Sequence, residues 1–93
     1  MKVFLDYDVL GIPEKDNEIL SIYVKIKERI IEFSEQFNGK YDTVFPIVTI
    51  NIKEGLCFYY YSENIELKKE WQNEFSKIDF GDISKEINIA KSN

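Results

Sequence analysis

One segment, residues 17–37, constrains the fold most strongly because its apolar residues recur at the period of an α-helix. Successive members of this stripe are four, three, four, three and four residues apart, which places them on one helix face. They are Ile19, Tyr23, Ile26, Ile30, Phe33 and Phe37. Leu20, Val24 and Ile31 lie beside the stripe and predict a wide buried face. The segment therefore predicts one long helix that spans a small domain.

Residues that flank this segment predict where the helix begins and ends. Pro13 suits either a first helical turn, where its missing N–H is not needed, or the turn before the helix. Asp16 is the predicted N-cap, because its carboxylate can accept from the free N–H groups of the first turn. Gly39 follows the helix and is predicted to adopt the left-handed conformation that commonly ends helices.

Alternation of apolar and polar residues predicts three strands around this helix. The predicted strands are residues 2–10, 47–52 and 56–62. In the first strand Val3, Leu5, Tyr7 and Val9 share one face, which we expect to lie against the core. The second and third strands are separated by a short turn that contains Gly55, so we expect them to form a hairpin.

The turn of this hairpin allows two registers, which expose opposite faces of the third strand. A type I turn with Gly55 as its left-handed residue places Leu56 opposite Ile52. In this register Tyr59 and Tyr61 face solvent. A two-residue loop would instead bury both tyrosines, and it requires a glutamate to adopt a positive φ, so we favour the first register. The expected core face of the hairpin is Val48, Ile50, Leu56, Phe58 and Tyr60.

The C-terminal third predicts a second helix over residues 64–78, with Ser62 or Asn64 as its cap. The tail, residues 82–90, fits either a short helix or an edge strand. Taken together, the elements predict a single domain over residues 1–93 in the α+β class. Their order is β-α-β-β-α, followed by a C-terminal element that is either helix or strand. We expect a small, mainly antiparallel sheet packed on one long helix.

Composition limits the chemistry that this chain can perform. It contains no histidine and a single cysteine, Cys57, so we expect no Ser-His-Asp triad, Cys-His dyad, zinc site or internal disulfide. A net charge of -5 and a pI of about 4.7 disfavour direct binding to nucleic acid and favour basic protein partners. Without a signal peptide or a long apolar span, we expect a cytoplasmic protein that uses no cofactor or metal and binds no membrane.

Five carboxylates near the N-terminus form one candidate binding surface. Asp6, Asp8, Glu14, Asp16 and Glu18 fall within thirteen residues of one another. Two interpretations remain open, a patch for a basic partner and the ordinary charge complement of a helix N-terminus.

The aromatic run at residues 58–61 forms a second candidate surface. Tyr59 and Tyr61, if exposed, suit an interface to a surface rich in arginine and lysine. A strand covered on both faces by helices would contain a similar run, so a purely structural role also remains open.

Two short segments resemble motifs of haloacid-dehalogenase-like phosphatases. Residues 4–10, FLDYDVL, resemble the first motif of that family, and this resemblance implies Asp6 as nucleophile, Asp8 as general acid and a nearby Mg²⁺. Gly81 and Asp82 resemble the late metal motif of the family, although lysine and glutamate stand where a further aspartate is usual.

In size and charge the chain resembles bacterial immunity proteins, which neutralise a cognate toxin. This resemblance implies a non-enzymatic inhibitor of a basic toxin such as a nuclease, with carboxylates on the toxin's phosphate-binding surface and tyrosines as anchors. The predicted partner-binding residues are Asp8, Glu14, Asp16, Glu18, Tyr59 and Tyr61. The alternatives are a phage-type inhibitor that mimics DNA and the phosphatase fragment.

Overall fold

A computed structural model of the chain describes residues 1–7, 11–51 and 55–92, which form three strands and three helices. In chain order they are β1 (Phe4–Tyr7), α1 (Pro13–Glu35), β2 (Phe45–Asn51), β3 (Gly55–Tyr61), α2 (Ile65–Phe75) and α3 (Gly81–Ser92). The predicted α+β class and element order are confirmed, and the C-terminal element that could be helix or strand is the helix α3. Among the described helices, none is long and apolar enough to cross a membrane.

Helix α1 has 23 residues and is roughly 35 Å long. It begins at Pro13, which is four residues before the predicted segment and is one of the two placements that the sequence allows for this proline. The N-cap position belongs to Ile12, and no side chain caps it. The prediction of Asp16 as N-cap is therefore wrong. Proline has no backbone N–H, so at the first helical position it leaves no donor without an acceptor. The helix can therefore begin at Pro13 without a capping side chain.

The end of α1 also differs from the prediction. Regular helix stops at Glu35, and the amides of Phe37 and Asn38 donate to carbonyls only three residues back, at 3.1 and 3.2 Å. Gly39 has a φ of 79°, as predicted, but Asn38 before it is also left-handed at 53°. The chain therefore leaves the helix through tight turns before it reverses at these two residues.

The buried stripe of α1 is narrower than predicted and slightly rotated. Its buried residues are Ile19, Ile22, Ile26 and Ile30. The predicted residues Tyr23, Ile31, Phe33 and Phe37 pack against the core but stay half-buried. Leu20 and Val24 remain 39% and 48% exposed, so their prediction as part of the buried face is wrong. The physical reason is that α3 docks on the other flank of α1, where Lys25 Nζ lies 3.2 Å from a carboxylate oxygen of Glu86.

The three strands form one sheet in the order β1-β2-β3. Strand β1 pairs with β2 in parallel over four positions, and β2 pairs with β3 in an antiparallel hairpin over seven. The sheet that we expect to be mainly antiparallel is thus mixed. The reason is that α1 is long enough to return the chain from the end of β1 to its start. Strand β2 then begins beside the start of β1 and runs in the same direction.

The hairpin register preserves the predicted faces although the pairing differs. Leu56 lies opposite Ile50 rather than Ile52, a shift of two residues. A shift by an even number leaves every side chain on its face, so Tyr59 and Tyr61 point to solvent as predicted. Gly55 has the predicted left-handed φ, at 79°.

The hydrophobic core lies on one face of the sheet, where all three helices contribute to it. The sheet provides Val48 and Ile50, and Val3 joins them from just before β1. Against the four buried isoleucines of α1, α2 provides Trp71 and Phe75, and α3 provides Ile83 and Ile87. Leu5, Tyr7, Leu56, Phe58 and Tyr60 pack against the same cluster from the sheet. The fold is therefore two layers, helices on one side and strands on the other.

Helix α2 is held at its start by the predicted cap. The side chain of Asn64 accepts a hydrogen bond from the amide of Leu67 at 3.1 Å, and regular helix begins at Ile65. It ends at Phe75, three residues before the predicted end. The carboxylates along α2 gain partners, because Glu70 pairs with Lys40 at 3.2 Å and Glu74 with Lys77 at 3.0 Å.

We predict that Ile26→Ala lowers the free energy of unfolding by about 2 to 5 kcal/mol, because it opens a cavity under α1. Val24→Ala on the exposed side of the same helix is the matched control and should change it by no more than about 0.5 kcal/mol. Urea unfolding followed by far-UV circular dichroism measures both. Similar losses for the two variants would contradict the narrow stripe.

Candidate functional site

The face of the sheet opposite the core carries an apolar surface that none of the described helices covers. We define the aromatic face as the outward residues Phe4, Phe45, Ile47, Tyr59 and Tyr61. Phe4, Tyr59 and Tyr61 keep 49%, 56% and 57% of their surface exposed, and the other two are half-buried. Exposed apolar groups that adjoin one another in this way are typical of binding surfaces.

Strand register explains why these side chains meet. Phe4, Ile47 and Tyr59 lie side by side across the three strands, and Phe45 and Tyr61 form the next row. The ring of Phe45 contacts Phe4 edge-on at 6.0 Å and stacks on Tyr61 at 6.3 Å between centroids. The aromatic face is therefore continuous, and its rings restrain one another.

A groove of about 800 Å³ extends from the aromatic face to the start of α2. The described residues that line it are Thr43, Phe45, Tyr61, Glu63, Asn64, Ile65, Glu66 and Leu67. Ile65, the first residue of α2, is 65% exposed. The groove thus joins aromatic rings, one exposed aliphatic side chain and two carboxylates.

The segment that connects β3 to α2 is fixed by local hydrogen bonds. The amide of Asn64 donates to the hydroxyl of Ser62 at 3.1 Å, while its side chain caps α2 at Leu67. These bonds hold the turn immediately after Tyr61. The groove is consequently formed by backbone of defined conformation, which lowers the entropic cost of binding.

The predicted acidic residues lie on a different part of the molecule. Glu14 and Glu18 are exposed on the first turns of α1 and Asp16 is half-buried between them, whereas Asp8 lies outside the described residues. Lys15 is 3.6 Å from Glu18, so the group contains an internal ion pair. We call Glu14, Asp16 and Glu18 the acidic end.

The orientation of α1 separates the acidic end from the tyrosines. Because β1 and β2 are parallel, the crossover helix α1 returns along β1, and its Tyr23 hydroxyl donates to the Val3 carbonyl at 2.8 Å. The start of α1 is therefore toward the Tyr7 end of β1. Tyr7 pairs with Ile50, and Tyr61 pairs with Phe45. Ile50 and Phe45 are five residues apart on β2, so the rows of Tyr7 and Tyr61 are about 17 Å apart along the strand. The helix and the tyrosines also occupy opposite faces of the sheet. The five predicted site residues that the structure describes therefore do not form one compact patch.

Sequence reasoning missed part of the aromatic face and the whole groove. Phe4, Phe45 and Ile47 could have been found, because apolar residues at the outward positions of alternating strands indicate a face that needs a partner. Glu63 and Glu66 are recognisable as part of an acidic edge of the second predicted helix, but their relation to Phe45 depends on how α2 follows β3 in space.

The residues that resemble phosphatase motifs are not brought together. Asp6 lies on the outer face of the sheet, beside Thr49. Asp82 belongs to α3, on the helical side, where Arg29 donates two hydrogen bonds to its carboxylate at 2.9 and 3.2 Å. Across residues 1–7, 11–51 and 55–92 no group of three or more histidine, cysteine or acidic residues could hold a metal ion.

No protein-family model, curated protein or solved structure matches this chain. Its function is therefore inferred from its own residues.

We predict that the Arg29–Asp82 pair makes stability depend on acid pH. The Arg29 hydrogen bonds hold the pKa of Asp82 below its usual value of 3.8. A lowered folded-state pKa stabilises the protein above the unfolded value, and this contribution is lost as pH falls through the folded value. Asp82→Asn should therefore be less stable than the native chain at neutral pH, and the difference should shrink below about pH 4.

Denaturant unfolding between neutral pH and pH 2.5 measures this effect. Arg29→Gln is the companion variant, because it removes the guanidinium and should reproduce the same convergence. A stability difference that stays constant across the acid range would contradict the assigned role of the pair.

Proposed function

We propose that this chain is a non-enzymatic inhibitor that binds a basic protein through the aromatic face. The single observation that carries this proposal is an aromatic sheet face left open by all the described helices. Within this class we favour an immunity protein that neutralises a cognate toxin such as a nuclease, in keeping with the small size and the net charge of -5.

The energetics of the aromatic face support docking of a protein surface. Tyrosine carries a large apolar ring on few rotatable bonds, so burial of Tyr59 or Tyr61 costs little side-chain entropy and each hydroxyl can still find a partner. Interfaces concentrate their binding energy in such residues near the centre of the contact. Ile47 lies beside Tyr59, and Phe4 follows Ile47 in the same row, so both would help to exclude water from the contact.

Charge supports a basic partner. The acidic end and Asp8 would attract a cationic surface before contact and raise the rate of association, an effect that added salt screens within about 10 Å. In this account the carboxylates steer the partner and the tyrosines hold it. The two groups therefore need not lie on one patch.

The proposal is tested by capture from a native lysate, with the bound protein identified and then purified. We expect a basic protein whose capture weakens as salt rises. A toxin supports the immunity function, whereas a host nuclease or defence enzyme supports the phage-type alternative. Capture of no basic protein contradicts the proposal.

We predict that replacing Tyr59 and Tyr61 together by serine weakens binding of the captured partner strongly. Loss of one anchor at an interface centre costs about 2 kcal/mol or more, which is roughly a 30-fold loss of affinity. Isothermal calorimetry with the purified partner measures the change. The matched control replaces Leu20 and Val24, which are exposed on α1, by serine and should leave affinity within about threefold.

The opposite pattern would overturn the assignment of the surface. If the tyrosine pair were dispensable while the α1 pair were required, the partner would bind the helical layer and the aromatic face would not be its docking site. Circular dichroism of each variant establishes that it is folded.

A further inference from the structure

We propose that the groove beside the aromatic face receives an arginine side chain from an extended segment of the basic partner. This inference rests on the proposed function, since it names the part of such a partner that the groove would recognise. The described residues that line the groove include neither Tyr59 nor any residue of the acidic end.

The charges of the groove favour a cation. Glu63 and Glu66 line it and are exposed, and none of its described lining residues is lysine or arginine. Carboxylates near these residues in the chain have partners, because Asp42 lies 3.6 Å from the N-terminal ammonium and Glu70 lies 3.2 Å from Lys40. Glu63 and Glu66 make no ion pair within the described residues. Two carboxylates in the groove are therefore available to bind a cation.

The N-terminus of α2 opposes a cation only weakly. A helix dipole contributes about half a positive charge at this end, and the Asn64 cap already accepts from one of the free amides, that of Leu67. The two full negative charges outweigh it, and Glu66 lies in the first turn, where its charge offsets the dipole directly.

The rings of the groove distinguish arginine from lysine. Phe45 and Tyr61 stack with an interplanar angle of 19°, and both line the groove. A guanidinium is planar and weakly hydrated, so it can lie on an aromatic ring while its N–H groups donate to carboxylates. An ammonium is compact and strongly hydrated, and it gains less from the rings.

The apolar part of the groove requires more than one side chain. Ile65 is exposed at the start of α2, and a volume of about 800 Å³ exceeds that of a single arginine. An extended segment with an apolar residue next to its arginine would cover Ile65 and fill this space. The occupant is therefore a loop or a chain terminus of the partner.

The direct test is a titration of the ¹⁵N-labelled chain with blocked pentapeptides, followed by heteronuclear NMR. The probe alternates two arginines with leucines, and its lysine and glutamate counterparts are the comparisons. We expect saturable shifts in the amides of residues 61–67 with the arginine probe, weaker ones with lysine and none with glutamate. Glu63→Gln combined with Glu66→Gln should raise the dissociation constant roughly five- to tenfold.

The matched control is Glu28→Gln combined with Glu32→Gln, which makes the same change in net charge on the exposed face of α1. It should change the dissociation constant by less than twofold. Equal effects of the two double variants, shifts centred outside residues 43–45 and 61–67, or equal binding of the glutamate probe would overturn the inference.

Failure of the groove can be told apart from failure of the proposed function. Tyr59 lies outside the groove, so Tyr59→Ser tests the aromatic face alone. If the captured partner is lost on Tyr59→Ser but kept by the variant lacking Glu63 and Glu66 charges, only the groove assignment is wrong. If both variants keep the partner, the proposed function fails as well.

Discussion

Burial of the sheet on one side only is the constraint on which the rest of the structure depends. The isoleucines of α1 meet Val48 and Ile50 on the inner face, and α2 and α3 close the same side with Trp71 and Ile87. Apolar burial of this kind is the main favourable term in folding. Because every described helix is used on that side, the outer face keeps its rings exposed.

An open face of this composition has a cost unless a partner covers it. Exposed sheet faces and edge strands favour non-specific pairing, and natural proteins commonly place charge there. Here Asp6 lies on the outer face of the sheet. Glu63 and Glu66 line the groove that adjoins this face at Phe45 and Tyr61. Under the proposed function, the same carboxylates would repel a second copy of this acidic chain and attract a basic surface.

Much of the fold could be predicted from local patterns in the sequence. The period of the α1 stripe, the left-handed Gly55 and the alternation around Tyr59 each depend on residues close together in the chain. These predictions hold because the interactions they describe are local or repeat regularly. Even the wrong hairpin pairing kept the faces correct, since it differed by two residues.

The remaining features depend on contacts between distant segments. The exposure of Leu20 and Val24 follows from the side on which α3 docks, and the parallel pairing of β1 follows from the path of α1. The groove exists because α2 starts beside Phe45, about twenty residues away in the chain. No window of sequence contains these relations, so the acidic end appeared there as the main candidate surface.

The most direct test of the aromatic face as a docking surface is cross-saturation NMR on the complex with the purified partner. Saturation of the partner's protons should reduce signals from Phe4, Phe45, Ile47, Tyr59 and Tyr61 most strongly, and it should leave Leu20 and Val24 unaffected. Loss of signal centred on the exposed side of α1, with the outer face of the sheet unchanged, would contradict the account.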